Sequence, residues 1–343
     1  MAKVRIADIV RATGLSRATV DRVLNARGRV HSRTVEAVER AMKQLSNRNV
    51  VIRDDNDVPI DILMRLGSGM ARQMRETFEF VRGPNDRYFD LFEEDEEGVL
   101  RHLRAICSDT TRAAIVCVKD TDRVRATLIK ARNSGKKIVA AISDLAPEAR
   151  DSFVGIDNKA AGSTAVALIT QAIGDRPATV GVVVGDSAFA CHEEREISFR
   201  TTLRQTSRKV VLAAEAIGND NAELTYRGVR KMLEAHPGIG AIYNCSGGNG
   251  GLARALMEME RDQDVLWIAH EITFVSVPLL MNGTMNFVLS QNPTELLETA
   301  MKAARLPRGA AADARSLIDF GVYTKFNLPS YGRDLHLENM QAP

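Results

Sequence analysis

Apolar residues recur with a helical period over the first 45 residues of the chain. Glycine at position 14 separates a first predicted helix from a second, and Ser16 stands where a helix N-cap is expected. The three predicted apolar faces consist of Ile6, Ile9 and Val10; of Ala18, Val20, Val23 and Leu24; and of Val35, Val38, Met42 and Leu45. Such spacing predicts three short amphipathic helices. Because a tight turn joins the first two, the pattern indicates a helix-turn-helix.

From Pro59 onward the pattern changes to apolar runs of strand length separated by segments of helical character. The ten runs are PIDILMRL, RYFDLFEE, RAAIVCV, KKIVAAIS, SFVGID, ATVGVVVG, KVVLAAEA, GIGAIYN, VLWIAHE and MNFVLSQ. Alternation of strands with crossover helices is typical of α/β proteins with parallel sheets. About ten strands exceed one comfortable sheet domain, so we expect two lobes.

The charge is distributed unevenly between these two parts. Residues 1 to 53 hold 12 Lys and Arg against 4 Asp and Glu, whereas the remainder holds 34 against 40. A basic, helically patterned module attached to an acidic body indicates a polyanion partner for the small part alone. We interpret that partner as nucleic acid.

Several other function classes are not indicated. No apolar run reaches the roughly 18 residues of a membrane span, and the first residues lack a signal peptide's apolar core, so we expect no membrane association. The four cysteines are scattered, which favours reduced thiols in the cytoplasm and no metal site. No set of nucleophile, base and orienting residue and no P-loop is visible. We therefore predict no catalytic residues, no enzymatic activity and no cofactor.

The N-terminal motif IADIVRATGLSRATVDRVLNARGRVHSRTVEAVERAM resembles the DNA-binding head of the LacI/GalR family of bacterial repressors. The resemblance implies that the second helix enters the major groove, with Arg17 and Ala18 as specificity positions and Arg22 as a further base contact. Arginine suits this place because its guanidinium can pair bidentately with guanine. The implied phosphate or sugar contacts are Ser16, Thr19, Asn25 and Thr34.

The chain departs from this family in two places. Asp21 stands where the family commonly has a small hydroxyl residue, and Arg17, four residues earlier, could pair with it. The linker reads QLSNRNVVIRDDNDVP and lacks the family's tyrosine-proline-asparagine segment and its leucine-bearing hinge helix. We therefore expect an extended linker without a minor-groove wedge.

The body resembles the sugar-binding core that this family shares with periplasmic ribose-type binding proteins. The resemblance is carried by VGIDNKAAGSTAVALI, CHEEREISFRTTL, AIYNCSGGNGGLARAL and the segment from HEIT to SQNP. It implies a core of two lobes that the chain crosses more than once. The expected domains are a head at 1–46, a linker at 47–58, an effector-binding domain at 59–329 and a tail at 330–343. Lobe 1 would comprise about 59–156 and 270–290, and lobe 2 157–269 and 291–329.

An effector would lie in the cleft between the lobes, where loops at strand carboxyl ends converge. By resemblance, Asp157, Asn158 and Glu271 bind effector hydroxyls, and Arg195 donates to them. Gln291 lies at a crossover between lobes, and Asn244 or Asn249 would contribute an amide. Arg65 and Ser68, after the first strand, are candidates by position only. Carboxylates accept hydrogen bonds from sugar hydroxyls and Arg and Asn supply donors, so the set suits a sugar or polyol.

One alternative comes from the stretch GGNGGLARAL. Gly248, Gly250 and Ala253 fit the G-x-G-x-x-G/A fingerprint of dinucleotide binding, with Glu271 near the spacing of its ribose-binding acid. This alternative would make the protein a redox-sensing DNA-binding regulator or a Rossmann enzyme that binds NAD(H). Against it, the fingerprint normally lies in the first βαβ unit of its domain, and about seven strands precede it here.

Taken together, the sequence predicts a cytoplasmic, dimeric repressor of the LacI/GalR type. Its expected partners are double-stranded DNA with a palindromic operator, a small sugar or polyol effector, and a second copy of the chain. The expected target is an operon for carbohydrate or polyol catabolism.

Overall fold

A computed structural model describes residues 9, 13, 15–25, 30–31, 34–35, 37–39, 58–92, 94–206, 209–308, 314–333 and 335. The chain divides into two compact units, one formed by residues 1–57 and 328–343 and the other by residues 58–327. The predicted linker at 47–58 lies outside the described residues, apart from Val58.

The described part of the first unit contains one helix with defined bounds, α1 (Arg17–Leu24). Ser16 caps it, because its Oγ accepts a hydrogen bond from the Thr19 amide at 3.2 Å. Val20 on α1 is fully buried and packs with Ile9 and Val38. One residue from each of the three predicted apolar faces therefore meets in a common core.

The second unit alternates strands with helices. In chain order its elements are β1 (Ile60–Met64), α2 (Ser68–Val81), β2 (Arg87–Asp90), α3 (Glu96–Cys107), β3 (Ala113–Cys117), α4 (Asp122–Asn133), β4 (Ile138–Ala141), a 3₁₀ turn (Pro147–Ala149), β5 (Ser152–Gly155), α5 (Asn158–Ile173), β6 (Ala178–Val184), α6 (Ala190–Thr206), β7 (Val210–Ile217), α7 (Ala222–Ala235), β8 (Ile239–Asn244), α8 (Asn249–Glu258), β9 (Leu266–His270), α9 (Ser276–Met281), β10 (Phe287–Gln291), α10 (Pro293–Arg305), β11 (Ala314–Leu317) and β12 (Phe320–Tyr323).

These strands form two six-stranded sheets. The first has the order β11-β5-β4-β3-β1-β2 and is parallel throughout. The second has the order β12-β10-β9-β8-β6-β7, in which β12 alone runs antiparallel to its neighbour. Every residue of β1, β3, β4 and β5 is buried, as expected for strands with helices on both faces. The predicted α/β fold with two parallel lobes is confirmed.

The predicted division of the lobes is wrong for two segments. Residues 270–290 were expected in the first lobe, but β10 belongs to the second sheet, beside β9. Conversely, α10 packs on α2 and on β3 to β5 of the first lobe, and β11 joins the first sheet. The chain therefore crosses between lobes after β5, after β10 and between β11 and β12. The apolar face of α10, with Leu296, Leu297 and Ala300 fully buried, requires this return to the first lobe.

Within the described ranges, no helix combines the length and the hydropathy needed to cross a bilayer. The same ranges hold no group of three or more His, Cys, Asp or Glu side chains arranged to bind a metal ion. The four cysteines are free thiols.

Candidate functional site

The segments that follow the strand carboxyl ends of the two sheets meet in a cleft. Lys119, which follows β3, places its Nζ 2.6 Å from the Asp186 carboxylate, which follows β6. The amide of Asp120 donates to the carbonyl of Ala188 at 2.8 Å. Since Lys119 and Asp120 belong to the first lobe and their partners to the second, the two lobes are in direct contact along this cleft.

Arg195 on α6 lies at the centre of the polar groups in the cleft. Its side chain is buried, and its Nε donates to Oδ1 of Asn158 at 2.8 Å. One terminal nitrogen donates to the carbonyl of Cys245 at 3.2 Å, and the other lies 3.9 Å from Oε1 of Glu271. Three residues predicted from the sequence, Asn158 after β5, Arg195 on α6 and Glu271 after β9, are thus brought together, and a fourth, Gln291, bonds to Glu271.

Glu271 occupies an unusual position immediately after β9. Its φ is +68°, a left-handed conformation that is costly for a residue with a side chain and that concentrates at functional sites. The carboxylate accepts from Nε2 of Gln291 at 2.9 Å and from Oγ of Ser290 at 3.1 Å. Burial raises the pKa of the Glu271 carboxyl above its ordinary value, although the charge of Arg195 and these two hydrogen bonds oppose the shift.

Four other predicted residues take part in local structure. Asp157 is exposed and caps α5 by accepting from the Ala160 amide at 2.9 Å. Ser68 is exposed at the start of α2, and half-buried Arg65 donates from Nε to the carbonyl of Glu94. Asn244 is buried and ties its own loop together by donating to the Gly247 carbonyl at 2.9 Å. Their roles in ligand binding stay predictions.

Two groups of the cleft were missed by the sequence reasoning. Asp220 follows β7 with a φ of +57°, and its Oδ1 accepts from the Gly247 amide and lies 3.7 Å from Nε2 of His192. Burial alone would lower the pKa of His192, but the charges of Cys191 and Asp220 raise it to about 9. Asp220 lies in the stretch GNDN, which indicates only a turn. His192 was not among the residues predicted to bind the effector.

His270, at the end of β9, has the opposite character. Its Nε2 lies 2.7 Å from the Tyr243 hydroxyl, and both side chains are buried. Burial lowers the pKa of His270 well below its ordinary value, and the nearby Arg195 and His192 add to the shift. The imidazole is therefore neutral at pH 7, and its buried Nδ1 has no hydrogen-bond partner.

Gly248 of the possible dinucleotide fingerprint, and the neighbouring Gly251, have structural explanations. Gly248 precedes α8 with a φ of +80°, which favours glycine. A Cβ on Gly248 would lie 2.2 Å from Oγ1 of Thr225, and one on Gly251 would lie 1.8 Å from the carbonyl of Ala222. Glycine at these two positions lets α7 and α8 pack closely, whatever binds nearby.

Two surface cavities lie away from the cleft. One, of about 540 Å³, is lined by α2 and β2, and the other, of about 570 Å³, is lined by α6 and β7. The chemistry nevertheless favours the cleft, because buried charged and amide groups converge there from several strand ends. In this structure, where the lobes are in contact, these polar groups form hydrogen bonds with one another.

The described part of the DNA-binding head shows how the predicted contact residues are held. Besides capping α1, Ser16 Oγ lies 2.9 Å from the Thr19 hydroxyl. Asn25 at the other end donates from Nδ2 to the carbonyl and to the carboxylate of Asp21, at 3.0 and 2.9 Å. The predicted pairing of Arg17 with Asp21, and the side chain of Ala18, lie outside the described residues. Arg22 is exposed and Thr34 half-buried.

Comparisons with known proteins place both parts of the chain. The profile of the family described as "Bacterial regulatory proteins, lacI family" matches residues 5–47, and that described as "Periplasmic binding protein domain" matches residues 106–306. No curated protein matches the sequence significantly.

The solved structures similar to the chain include several solute-binding proteins. One from Burkholderia graminis, an ABC transporter solute-binding protein in complex with D-arabinose, has a TM-score of 0.71 at 17% identity and covers 80% of this chain and 98% of its own. GanP, a glucose-galactose binding protein from Geobacillus stearothermophilus, has a TM-score of 0.69 at 18% identity, covering 80% and 99%. A periplasmic solute-binding protein from Actinobacillus succinogenes with bound D-allose has a TM-score of 0.65 at 18% identity, covering 80% and 99%.

At these identities the structures establish the fold, and the two profile matches establish the order of the domains. The chain belongs to the periplasmic binding protein domain family and, because a LacI-family head precedes that domain, it has the architecture of the LacI/GalR regulators.

Proposed function

We propose that the protein is a transcriptional repressor of a carbohydrate or polyol catabolic operon, controlled by a small sugar or polyol that binds between its lobes. The observation that carries the ligand proposal is the arrangement of Asn158, Arg195 and Glu271 in the cleft, with the guanidinium between an amide oxygen and a carboxylate. The family profile of the head supports the proposed binding of double-stranded DNA.

The chemistry of the cleft suits a ligand rich in hydroxyl groups. A hydroxyl both donates and accepts, so it can bridge the Glu271 carboxylate and the Arg195 guanidinium, which lie 3.9 Å apart. Hydrogen bonds to buried charged groups are stronger than neutral ones and penalise ligands that cannot make them. The sugars in the similar solved structures, D-arabinose and D-allose among them, agree with this chemical class.

We further propose that the regulator acts as a homodimer on a palindromic operator in the cytoplasm. One small head makes few contacts, and two-fold symmetry of the protein matches two half-sites of DNA. Catalysis is not part of the proposal, because the neutral His270 is held by Tyr243 and the charged His192 faces Asp220.

A ligand screen tests this function. Purified full-length protein is heated with sugars, polyols and NADH, each in separate samples. A ligand present at 100 times its Kd should stabilise the protein by about 2.7 kcal/mol. Stabilisation by a sugar or polyol supports the proposal, whereas stabilisation by NADH alone would favour the dinucleotide alternative.

The Arg195→Ala variant then assigns the site. Removing the guanidinium leaves the Asn158 and Glu271 oxygens without their shared cation, so we expect ligand affinity to fall by about 1–3 kcal/mol. DNA affinity in the absence of ligand should not change. Calorimetry gives the affinity, and Arg195→Lys separates loss of charge from loss of the planar fork.

The matched control for this test is Arg227→Ala, which removes an arginine from the same lobe whose side chain is 71% exposed and paired with Glu223. It should bind ligand as the wild type does. Unchanged ligand binding by both Arg195 variants would remove Arg195 from the site.

A further inference from the structure

Charged side chains are concentrated where the strands of the first sheet begin. We call these residues the amino-edge cluster. It consists of three carboxylates and six cations: Asp61, Asp86, Asp151, Arg87, Arg112, Arg132, Lys136, Arg305 and Arg308. They belong to the strand amino ends and to the ends of the helices that lead into them. This edge is opposite the cleft.

Asp61 on β1 alone holds three of the cations. Nε of Arg87 and Nε of Arg112 each donate to its carboxylate at 2.8 Å, and Nζ of Lys136 lies 3.8 Å away. Burial would raise the pKa of Asp61, but the hydrogen bonds from the two arginines outweigh it and lower the pKa. Asp61 therefore stays charged, yet its single charge faces three positive ones.

The remaining cations gather around the other two carboxylates. Arg305 lies 3.1 Å from Asp86, while Arg132 and Arg308 lie 3.0 and 3.5 Å from Asp151. These carboxylates also accept backbone hydrogen bonds, Asp86 from the Ile60 amide and Asp151 from the Ile138 amide. The carboxylates of Asp86 and Asp151 therefore hydrogen-bond the strand ends as well as the arginines. The cluster as a whole has more positive than negative side chains.

Two of the six cations, Arg87 and Arg308, are well exposed to solvent, whereas Arg112 and Lys136 are only 12% and 0% exposed. The side chains of Asp61, Asp86 and Asp151 are 0%, 2% and 7% exposed, whereas those of Arg87 and Arg308 are 51% and 40% exposed. At the margin, exposed Glu79 pairs with Arg82, and Asp109 bonds to Thr111. A molecule that approaches this edge therefore meets guanidinium groups first.

The position of this edge along the chain connects it with the DNA-binding head. Val58 and Pro59 come directly before β1, and the Pro59 carbonyl accepts from the Ala113 amide at the same edge. Residues 47–57 precede them, and 11 residues span at most about 40 Å when fully extended. The chain that joins the predicted head to this edge is therefore short.

We propose that the amino-edge cluster binds the phosphate backbone of DNA beside the site that the head recognises. The inference rests on the proposed function, because it requires that the head binds DNA. Guanidinium groups match phosphate geometry bidentately and are weakly hydrated, which suits them to this contact. Backbone contacts add affinity without reading sequence, so operator and random DNA benefit equally.

The test measures how DNA affinity depends on salt. Full-length wild type, Arg308→Gln, and Arg87→Gln with Arg308→Gln are titrated on a duplex carrying long flanks, between about 50 and 200 mM salt. Each lost phosphate contact should reduce the slope of log K against log salt by about 0.9, so the double variant should lose about 1.8. On a duplex trimmed to the recognised site, the three proteins should give the same slope.

Two control variants test whether a change in the salt slope comes from the amino-edge cluster. Arg227→Gln with Arg230→Gln removes two exposed cations from α7 of the other lobe and should leave the slope unchanged. Arg87→Lys retains the charge and should retain most of the slope. Because Arg132 remains on Asp151, Arg308→Gln alone tests the proposal even where the double variant fails to fold.

The outcomes separate this inference from the function on which it rests. Wild type that binds DNA, together with an unchanged slope in both Arg308 variants, would overturn the amino-edge contact and leave the proposed function standing. Wild type that binds no DNA at any salt concentration overturns both. A reduced slope that also appears on the trimmed duplex would place the contact within the recognised site and contradict the proposal.

Discussion

At the scale of single residues, Glu271 combines features that rarely occur together. Its backbone is in the left-handed region, its side chain is only 13% exposed, and its oxygens accept from Gln291 and Ser290. A residue held at a strained φ by surrounding contacts is positioned for a purpose beyond its own stability. We interpret that purpose as accepting hydrogen bonds from the ligand.

This interpretation predicts how ligand binding depends on pH. Burial raises the pKa of the Glu271 carboxyl above the ordinary value of 4.5. Protonation removes the negative acceptor, so ligand affinity should be highest well above that raised pKa and fall as the pH falls through it. We expect titration calorimetry between about pH 5 and 8 to show this loss at the acidic end.

The Glu271→Gln variant provides the comparison for that prediction. It should bind more weakly near neutral pH, by about 1–3 kcal/mol, and should show little change as the solution is acidified. Wild-type affinity that stays constant down to pH 5, while Glu271→Gln is equally tight, would exclude Glu271 as the acceptor.

Individual residues also show which parts of the site could be predicted from the sequence and which could not. The resemblance pointed to Asn158, Arg195 and Glu271, which the structure brings together. It pointed equally to Asp157, which the structure uses as a helix cap, because an aspartate after a strand and before a helix suits either role. Asp220 went unnoticed because its role depends on His192, which is close in space and 28 positions away in sequence.

At the scale of elements, α1 is the predicted recognition helix. We expect Arg17→Ala to lower operator affinity by about 1–3 kcal/mol and to relax base preference at one position in each half-site. The loss should be smaller for random DNA, because only the operator presents the recognised base. Gel-shift titrations on operator and on random duplexes of equal length measure both affinities.

Thr19→Ser serves as the matched control on α1, since it keeps the hydroxyl that lies 2.9 Å from Ser16. It should retain discrimination between operator and random DNA. Equal weakening on both kinds of DNA by Arg17→Ala would mean that Arg17 contacts phosphate and that the proposed register of the recognition helix is wrong.

The elements themselves were largely accessible from sequence. All ten predicted apolar runs form strands, β1 to β10, because central parallel strands are buried on both faces and therefore uninterrupted in apolar residues. The four-residue strands β11 and β12 were missed. They lie at sheet edges, as β2 and β7 do, but their apolar residues are interrupted by polar residues in β11 and by glycine in β12. The assignment of β10 to a lobe failed because local spacing does not determine which sheet a strand joins.

At the scale of the whole two-lobed unit, the contact between lobes leads to a further expectation that can be measured. The pair formed by Lys119 and Asp186 spans the cleft and is partly exposed, at 40% and 24%. A pair with that exposure contributes up to about 1 kcal/mol, which corresponds to about a fivefold change in the balance between open and closed lobes. We expect Asp186→Asn to increase the radius of gyration of the ligand-free protein in X-ray scattering and to weaken ligand binding by up to fivefold.

High salt should reduce the difference between wild type and Asp186→Asn, because it screens an exposed pair. Arg227→Gln, which breaks a pair within one helix, should leave the radius unchanged. An Asp186→Asn protein with the wild-type radius and wild-type ligand affinity at low salt would show that this pair does not hold the lobes together.

The return of α10 and β11 to the first lobe has a consequence for synthesis of the chain. Strands β6 to β10 occupy a continuous stretch, so most of the second lobe can fold as soon as it leaves the ribosome. The first lobe emerges earlier but has to wait for the helix that covers β3 to β5, which is made more than 130 residues after β5. During that interval the apolar face beneath α10 is open to water and to other chains. Translation speed over the second lobe therefore sets how long the nascent regulator is exposed to aggregation.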